Sequence, residues 1–326
     1  MRFAVLGAGA TGGFVGASLA RGGADVTLIA RGAQLEALRT RGVRVQSPRG
    51  DFEAHPPATD DLAALAAADV VFIGLKAYSL PALAPELGRV LRPGAAVIAA
   101  QNGIPWWYFQ RAGGPLDGMV VESVDPGGVI SRSITPDAVI GCVVFPATEI
   151  VEPGVIRHVE GTRFSIGEPD GSLSERCAEI SEAFRAGGLK CPVEEDLRGQ
   201  IWLKLVGNAA FNPASVLTGA TLGELGEVPQ MRALLRDVLE EGARVAEALG
   251  VTMTVSLDRR LEAGIAVGDH KTSMLMDFEA GKPLELECMT GAIIEIAGRL
   301  GVEVPRLATL DAAVRLADRK RQHQKR

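Results

Sequence analysis

Apolar and polar positions along the chain follow two regimes, and the change comes near Pro192. Upstream, short apolar runs alternate with helix-length amphipathic stretches. The runs 3–6, 26–29, 43–46, 70–75, 96–100 and 119–124 have the length and residue types of strands. Several are continuous Val/Ile/Leu/Ala runs, the pattern of parallel strands buried on both faces. This rhythm predicts a doubly wound α/β unit with helices on each side of its sheet. Between 129 and 168 the runs 139–145, 155–159 and 164–166 are separated by Pro146, by Pro153 with Gly154, and by Gly161. No long helix intervenes, so this part predicts antiparallel hairpins added to the sheet.

Downstream of Pro192 the period becomes helical, over about 195–212, 228–249, 256–266, 271–280, 283–299 and 305–319. Gly250 and Gly301 read as helix stops, whereas Pro283 and Pro305 stand where a first helical turn accepts proline. Two domains are expected, an α/β domain over 1–192 and an all-helical one over 193–326.

Composition narrows the function classes. The 326 residues are 47% hydrophobic and 23% charged, as in a soluble globular chain. A net charge of −6 argues against a nucleic-acid partner, although residues 319–326 carry five basic groups and no acidic one. That tail is expected to be a frayed, solvated end. Cys142, Cys177, Cys191 and Cys288 lie far apart and form no local cluster with the histidines, so reduced thiols and no metal site are expected. The first apolar run breaks at Gly7, too soon for a signal-peptide core, and no stretch approaches the roughly 20 apolar residues of a membrane span. A cytoplasmic protein with no membrane partner is expected.

The run 3–6 leads directly into Gly7-Ala8-Gly9-Ala10-Thr11-Gly12, which fits G-x-G-x-x-G and opens a helix rich in small residues. Gly7 permits a tight turn, Gly9 leaves room for a pyrophosphate to approach the backbone, and Gly12 lets the helix pack close to the strand. The helix amino terminus then offers unpaired N–H groups to the anion. Gly7, Ala8, Gly9, Ala10, Thr11 and Gly12 are therefore expected to bind a dinucleotide. After the second strand the chain reads Ile29-Ala30-Arg31-Gly32, with no carboxylate to take a ribose 2′-hydroxyl, and Asp25 is at the wrong end of that strand. Arg31 suits a 2′-phosphate instead, which predicts NADPH. Lys76 and Asn102, after the fourth and fifth strands, fall at the carboxyl edge of the sheet, where ligands bind, and are candidates for the nicotinamide side.

A second constellation lies in the helical half. Within the apolar stretch 201–213, Lys204, Asn208 and Asn212 recur one turn apart on one face. A lysine among so many apolar neighbours is costly without a partner or a task. Further on come Ser273, Asp277 and Glu285; Pro283 as first helical residue would put Glu285 in a first turn, where the macrodipole favours its ionised form.

Taken together, the glycine loop with Arg31, Leu75-Lys76-Ala77, Gln101-Asn102-Gly103, Lys204-Leu205 with Asn208 and Asn212-Pro213, Ser273-Met274-Leu275 with Asp277, and Glu285-Leu286-Glu287 resemble the ketopantoate reductase family over nearly the whole chain. The resemblance implies a Rossmann-type sheet followed by a helical carboxy-terminal domain, like that of 6-phosphogluconate dehydrogenase. It implies reduction of ketopantoate by NADPH to (R)-pantoate, on the way to pantothenate and coenzyme A. By that likeness Lys204 is the general acid and Glu285 the ionised partner of the substrate hydroxyl. Asn208, Asn212 and Ser273 bind substrate, Asn102 meets both substrate and cofactor, and Lys76 lines the cofactor site. The oligomeric state is not legible, and a homodimer is left open. Two stretches depart from the family pattern: the segment 104–109 directly after Gly103, whose four aromatics are expected to be a packing cluster, and the region 129–160 with Glu149 and His158, the latter expected on a strand surface. The aromatic segment leaves room for another 2-keto acid as substrate. A catalytically silent dinucleotide-binding sensor is a further alternative, which Lys204, Asn208 and Glu285 argue against.

Overall fold

The structure, a computed structural model, describes residues 1–114 and 116–324; Pro115, Lys325 and Arg326, the last two belonging to the basic tail, lie outside the described residues. The chain forms two compact units. One comprises Met1–Gln101, Pro105–Val120 and Asp125–Leu197, the other Asn102–Ile104, Val121–Val124 and Arg198–Arg326.

The first unit runs β1 (Arg2–Leu6), α1 (Ala10–Arg21), β2 (Asp25–Ile29), α2 (Gly32–Arg41), β3 (Val43–Gln46), β4 (Phe52–Ala54), β5 (Ala58–Thr59), β6 (Val70–Ile73), α3 (Leu80–Val90) and β7 (Ala96–Ala99). It continues with α4 (Val129–Ser133), β8 (Val139–Val144), β9 (Ala147–Glu152), β10 (Val155–Glu160), β11 (Phe164–Gly167) and α5 (Glu175–Ala186). A seven-stranded sheet has the order β11-β8-β7-β6-β1-β2-β5, with every pairing parallel except that of β11. The chain goes from β1 to β2 on one side and returns to β6 on the other, so the strand order switches beside β1. Loops at the carboxyl ends of these strands are where an open α/β sheet takes ligands.

A second sheet, β4-β3-β10-β9, lies against α1. The helix fits between the two sheets because its contact residues are small. A Cβ on Gly16 would meet Leu28 Cδ2 at 2.4 Å, and one on Gly13 would meet Ile156 Cδ1 at 2.4 Å. The main core is built from the continuous apolar strands, with Val5, Leu28, Phe72 and Ile98 almost wholly buried. Each such side chain contributes about 1.5–3 kcal/mol relative to exposure.

Four expectations are corrected here. Residues 43–46 pair in the second sheet, and the alternation of buried Val43 and Val45 with exposed Arg44 is that of a one-sided sheet. The run 139–144 joins β7 in parallel and is no hairpin extension; the antiparallel pairs are β8 with β11 and β9 with β10. Residues 119–124 form turns, because the N–H groups of Glu122 and Ser123 donate to the Glu295 carboxylate at 2.8 Å each and are not available to a ladder. His158 is 2% exposed; it stacks on Phe14 at 4.5 Å and its Nδ1 lies 2.9 Å from Ser47 Oγ, so it is a core residue of the second sheet.

The second unit runs α6 (Leu197–Thr218), α7 (Leu222–Glu227), α8 (Pro229–Ala248), α9 (Leu257–Ile265), α10 (Ser273–Glu279), α11 (Ala292–Leu300) and α12 (Pro305–Gln324). A reciprocal cap between Thr221 and Glu224 starts α7, and Gly301 at φ 68° ends α11. Buried Glu241 on α8 accepts from Arg306 N and Leu307 N at 3.1 and 2.9 Å, satisfying the first turn of α12. The basic tail is helical to Gln324, not frayed from 319, because Arg321 donates to the Asp277 and Lys282 carbonyls at 3.2 and 2.8 Å and lies over the Phe278 ring at 4.6 Å. Pro283 does not open a helix. Residues 282–285 have no regular structure, a π turn spans Glu287–Gly291, and α11 follows.

Candidate active site

The glycine loop closes on itself as its spacing requires. Gly7 has φ 91°, and the N–H groups of Gly7 and Ala8 both donate to Ile29 O at 3.0 Å, tying the loop to the end of β2. A Cβ on Gly12 would lie 2.2 Å from Gly7 O, whereas one on Gly9 would meet nothing within 4 Å. Gly12 is thus glycine for packing, and Gly9 is glycine beside open space. Gly9 caps α1 with no side-chain bond, leaving the first N–H groups of the helix to an anion.

A cavity of about 330 Å³ opens beside this loop, lined among others by Gly7, Gly9, Ala30, Arg31, Gln34 and Ile150. The open approach at Gly9 and the apolar floor of Leu6, Ile29 and Leu75 fit the adenosine and pyrophosphate half of a dinucleotide. Arg31 is exposed at the start of α2 and lines the same cavity. Lys76 is half-buried just after β6, before the short turn Ala77–Ser79. Gln101, after β7, donates to Ile73 O at 3.2 Å and so fixes that strand end to β6.

Sequence reasoning missed three contributors. Gln34 Nε2 donates to Ala8 O at 2.9 Å while its Oε1 accepts from Gly154 N at 3.0 Å, pinning the loop to the β9–β10 turn. The Thr11 and Thr148 hydroxyls lie 3.2 Å apart, and Ile150, 45% exposed on edge strand β9, adds an apolar wall to the cavity. Exposed apolar Ile150 carried no signal in the sequence, since its exposure depends on the pairing of β9 with β10.

The helical unit presents a different kind of arrangement. Of residues 201–216 on α6, all but Leu203, Lys204 and Asn208 are buried, so the polar pair one turn apart lies on the accessible stripe. Lys204 Nζ donates to Asn102 Oδ1 at 2.7 Å, joining two candidates that are 102 positions apart. Asn102 is itself held by its neighbours: Ile104 N donates to Cys288 O at 2.7 Å, and a Cβ on Gly103, at φ 85°, would come within 2.1 Å of that oxygen. Cys288 is three residues beyond Glu285, so the same contact brings the Glu285 segment to Asn102.

Glu285 is 7% exposed and precedes the first turn. The first-turn macrodipole argument for it does not hold. Glu287, which does stand in that turn, pairs with Arg315. Asn212 is 5% exposed and its Nδ2 donates to Met289 Sδ at 3.5 Å, towards the core of the helical unit. Ser273 is exposed at the first residue of α10, and Asp277 lies 3.9 Å from Lys282 Nζ. The aromatic segment is packing: Trp106, Trp107, Tyr108 and Phe109 are each at most 2% exposed, and Trp107 lies where a Cβ on Gly141 of β8 would go. Among the described residues no three His, Cys, Asp or Glu side chains are grouped to hold a metal, and no helix is long and apolar enough to cross a membrane.

The PanE/ApbA ketopantoate reductase family model matches residues 3–110, and the model of that family's C-terminal region matches 196–318. A 2-dehydropantoate 2-reductase of Mesorhizobium japonicum is 44% identical over 320 residues, 98% of this chain and 97% of its own. The crystal structure of a PanE/ApbA family ketopantoate reductase from Ralstonia eutropha JMP134 superposes with a TM-score of 0.86 at 30% identity, over 99% of this chain and 100% of that one. A D-mandelate dehydrogenase solved with NADH and anilino(oxo)acetate shares the fold at a TM-score of 0.84 with 17% identity.

Proposed function

The chain belongs to the ketopantoate reductase family, and from that premise we propose that it reduces 2-dehydropantoate to (R)-pantoate with NADPH. The observation that carries this reading is the 2.7 Å bond from Lys204 Nζ to Asn102 Oδ1. A bound nicotinamide supplies the hydride. The residues of this chain handle the charge that results. As the carbonyl oxygen gains electron density it needs a cation and then a proton, and an ammonium on a largely apolar helix serves both needs. Asn102 accepts from the ammonium and so fixes its position. Glu285, an acceptor when ionised, takes the substrate hydroxyl, and Asn208 and Ser273 orient the remaining polar groups. Asn212 acts by holding Met289 beneath this stretch. On the cofactor side, Gly7 to Gly12 take the pyrophosphate, Arg31 the 2′-phosphate, and Lys76 lines the site.

The fold does not choose the substrate, since a D-mandelate dehydrogenase shares it. The aromatic segment that motivated another 2-keto acid is buried against β8, which removes that ground. Turnover by the purified protein, followed by NADPH absorbance across a panel of 2-keto acids with NADH in parallel, tests the proposal. Ketopantoate should give the highest kcat/KM, and NADPH should be preferred by about 10- to 100-fold, the scale of one or two bonds to a charged group. Absence of turnover with every 2-keto acid refutes the reading, and equal use of NADH removes Arg31 from its role.

A further inference from the structure

On the helical unit one cation has no evident structural reason to be where it is. Arg260, on α9, is half-buried, and its hydrogen bond runs from Nε to Leu203 O at 3.2 Å. Its guanidinium lies against Gly207 of α6: a Cβ there would be 2.0 Å from Nη2 and 2.4 Å from Cζ, so glycine at 207 is what admits it. Several other arginines of the helical unit are matched. Arg236 pairs with Asp258 at 2.6 Å, Arg306 with Asp237 at 2.8 Å, Arg315 with Asp311 at 2.6 Å, and Arg232 with Glu262. Arg260 has no such carboxylate among the described residues. Burial pushes its affinity for the proton below that of an ordinary arginine, yet a guanidinium remains charged at any working pH. A cation with five donors, partly removed from water and given one carbonyl, is costly to keep unless a ligand completes it.

Its place indicates which ligand. The Leu203 and Gly207 ridge of α6 is adjacent to the Lys204 and Asn208 ridge, and Leu203, Lys204 and Asn208 are the accessible residues of 201–216. In a 2-keto acid the carboxylate carbon is bonded directly to the carbonyl carbon. A group that holds the carboxylate must therefore be next to the group that takes the carbonyl oxygen. A planar two-oxygen anion also matches the guanidinium fork, which an ammonium does not.

We propose that Arg260 is the cationic partner of the substrate carboxylate, which it holds together with the neutral groups of Asn208 and Ser273, seated on α6 by Gly207 and paired with Lys204 across the two adjacent carbons of a 2-keto acid. The assignment rests on the reading of Lys204 as the acid for such a substrate.

Steady-state kinetics of Arg260→Met with a 2-keto acid and with the primary amide of the same acid test it. For the acid, KM should rise by about 10- to 100-fold, the range for a lost bond to a charged group, with kcat changed far less. The amide carries no charge for Arg260 to meet, so wild type and variant should treat it alike. Gly207→Ala, which displaces the guanidinium but leaves its charge, should reproduce the KM defect. Should Arg260→Met fail to fold, Arg260→Lys supplies the same contrast, with a raised KM expected for the acid and not for the amide, and guanidinium ion should restore Arg260→Ala towards the acid and not towards the amide. A KM for the acid within about twofold of wild type, or an equal penalty on the amide, overturns the assignment. Wild-type protein that turns over no 2-keto acid overturns the reading of Lys204 and this assignment with it, whereas turnover with an unaffected Arg260→Met overturns the assignment alone.

Discussion

In the proposed function the glycine loop after β1 and the accessible stripe of α6 both take ligands, but they are made of opposite materials. The loop works through backbone: its residues matter for the side chains they lack, and its strength comes from N–H groups at the start of α1. The stripe works through side chains, where α6 carries Lys204 and Asn208 among buried apolar neighbours and the ammonium is set by donating to Asn102 Oδ1. A backbone site can bind without discriminating chemistry, whereas a side-chain site can transfer a proton. The largest effect expected from breaking this division is at Lys204. Lys204→Ala should lower kcat by about two to four orders of magnitude, the scale of general acid catalysis, while the Kd for NADPH measured by fluorescence stays near wild type. A comparable loss in NADPH binding would mean that the two sites are not separable.

Within the loop, two glycines offer the same substitution with different costs. Gly12→Ala forces a Cβ to within 2.2 Å of Gly7 O and should destabilise the fold by about 1–3 kcal/mol in urea titrations, as overpacking does. Gly9→Ala meets nothing within 4 Å, so its stability should stay within about 0.5 kcal/mol of wild type. It should instead raise the KM for NADPH by roughly tenfold, because the new methyl occupies the pyrophosphate approach. Equal melting behaviour of the two variants would show that Gly12 does not close the turn.

The same contrast explains what could be read from the sequence. Gly7, Gly9 and Gly12 were legible because a tight turn, a close approach and helix packing each demand glycine at a fixed spacing. Lys204 and Asn208 were legible because polar residues one turn apart on an apolar helix leave few alternatives. Glu285 was singled out from the sequence, but its setting was not legible: Pro283 suits both a first helical turn and an irregular approach, and the structure has the latter. The sheet that takes 43–46 was hidden because β3, beside its local partner β4, pairs in parallel with β10, more than a hundred residues on, and no local pattern encodes that pairing. Ile150 and Gln34 depend on that same long-range sheet. Nothing local in the sequence marks Arg260, because the place of its guanidinium against Gly207 depends on how α9 packs on α6.

The smallest effect tests whether the loop is isolated from the far end of its own strands. Asp69, just before β6, accepts from Arg2 N at 2.7 Å and from Arg92 Nη2 at 2.5 Å, tying together the amino ends of β1 and β6 at the edge opposite the glycine loop. The hydrogen bonds from Arg2, with the nearby charges of Arg2 and Arg92, pull its carboxyl down from 3.8 to about 2. A carboxyl lowered in the folded state stabilises above its unfolded value and loses that contribution as pH falls through the folded one. Asp69→Asn should therefore cost stability at neutral pH, by less than about 1 kcal/mol because both arginines are partly solvated. The gap between variant and wild type should close as pH drops from about 4 to about 2 in thermal melts. The KM for NADPH should not move. If it does, strain passes along β1 to the loop, and the cofactor site is a property of the whole strand pair instead of its carboxyl end.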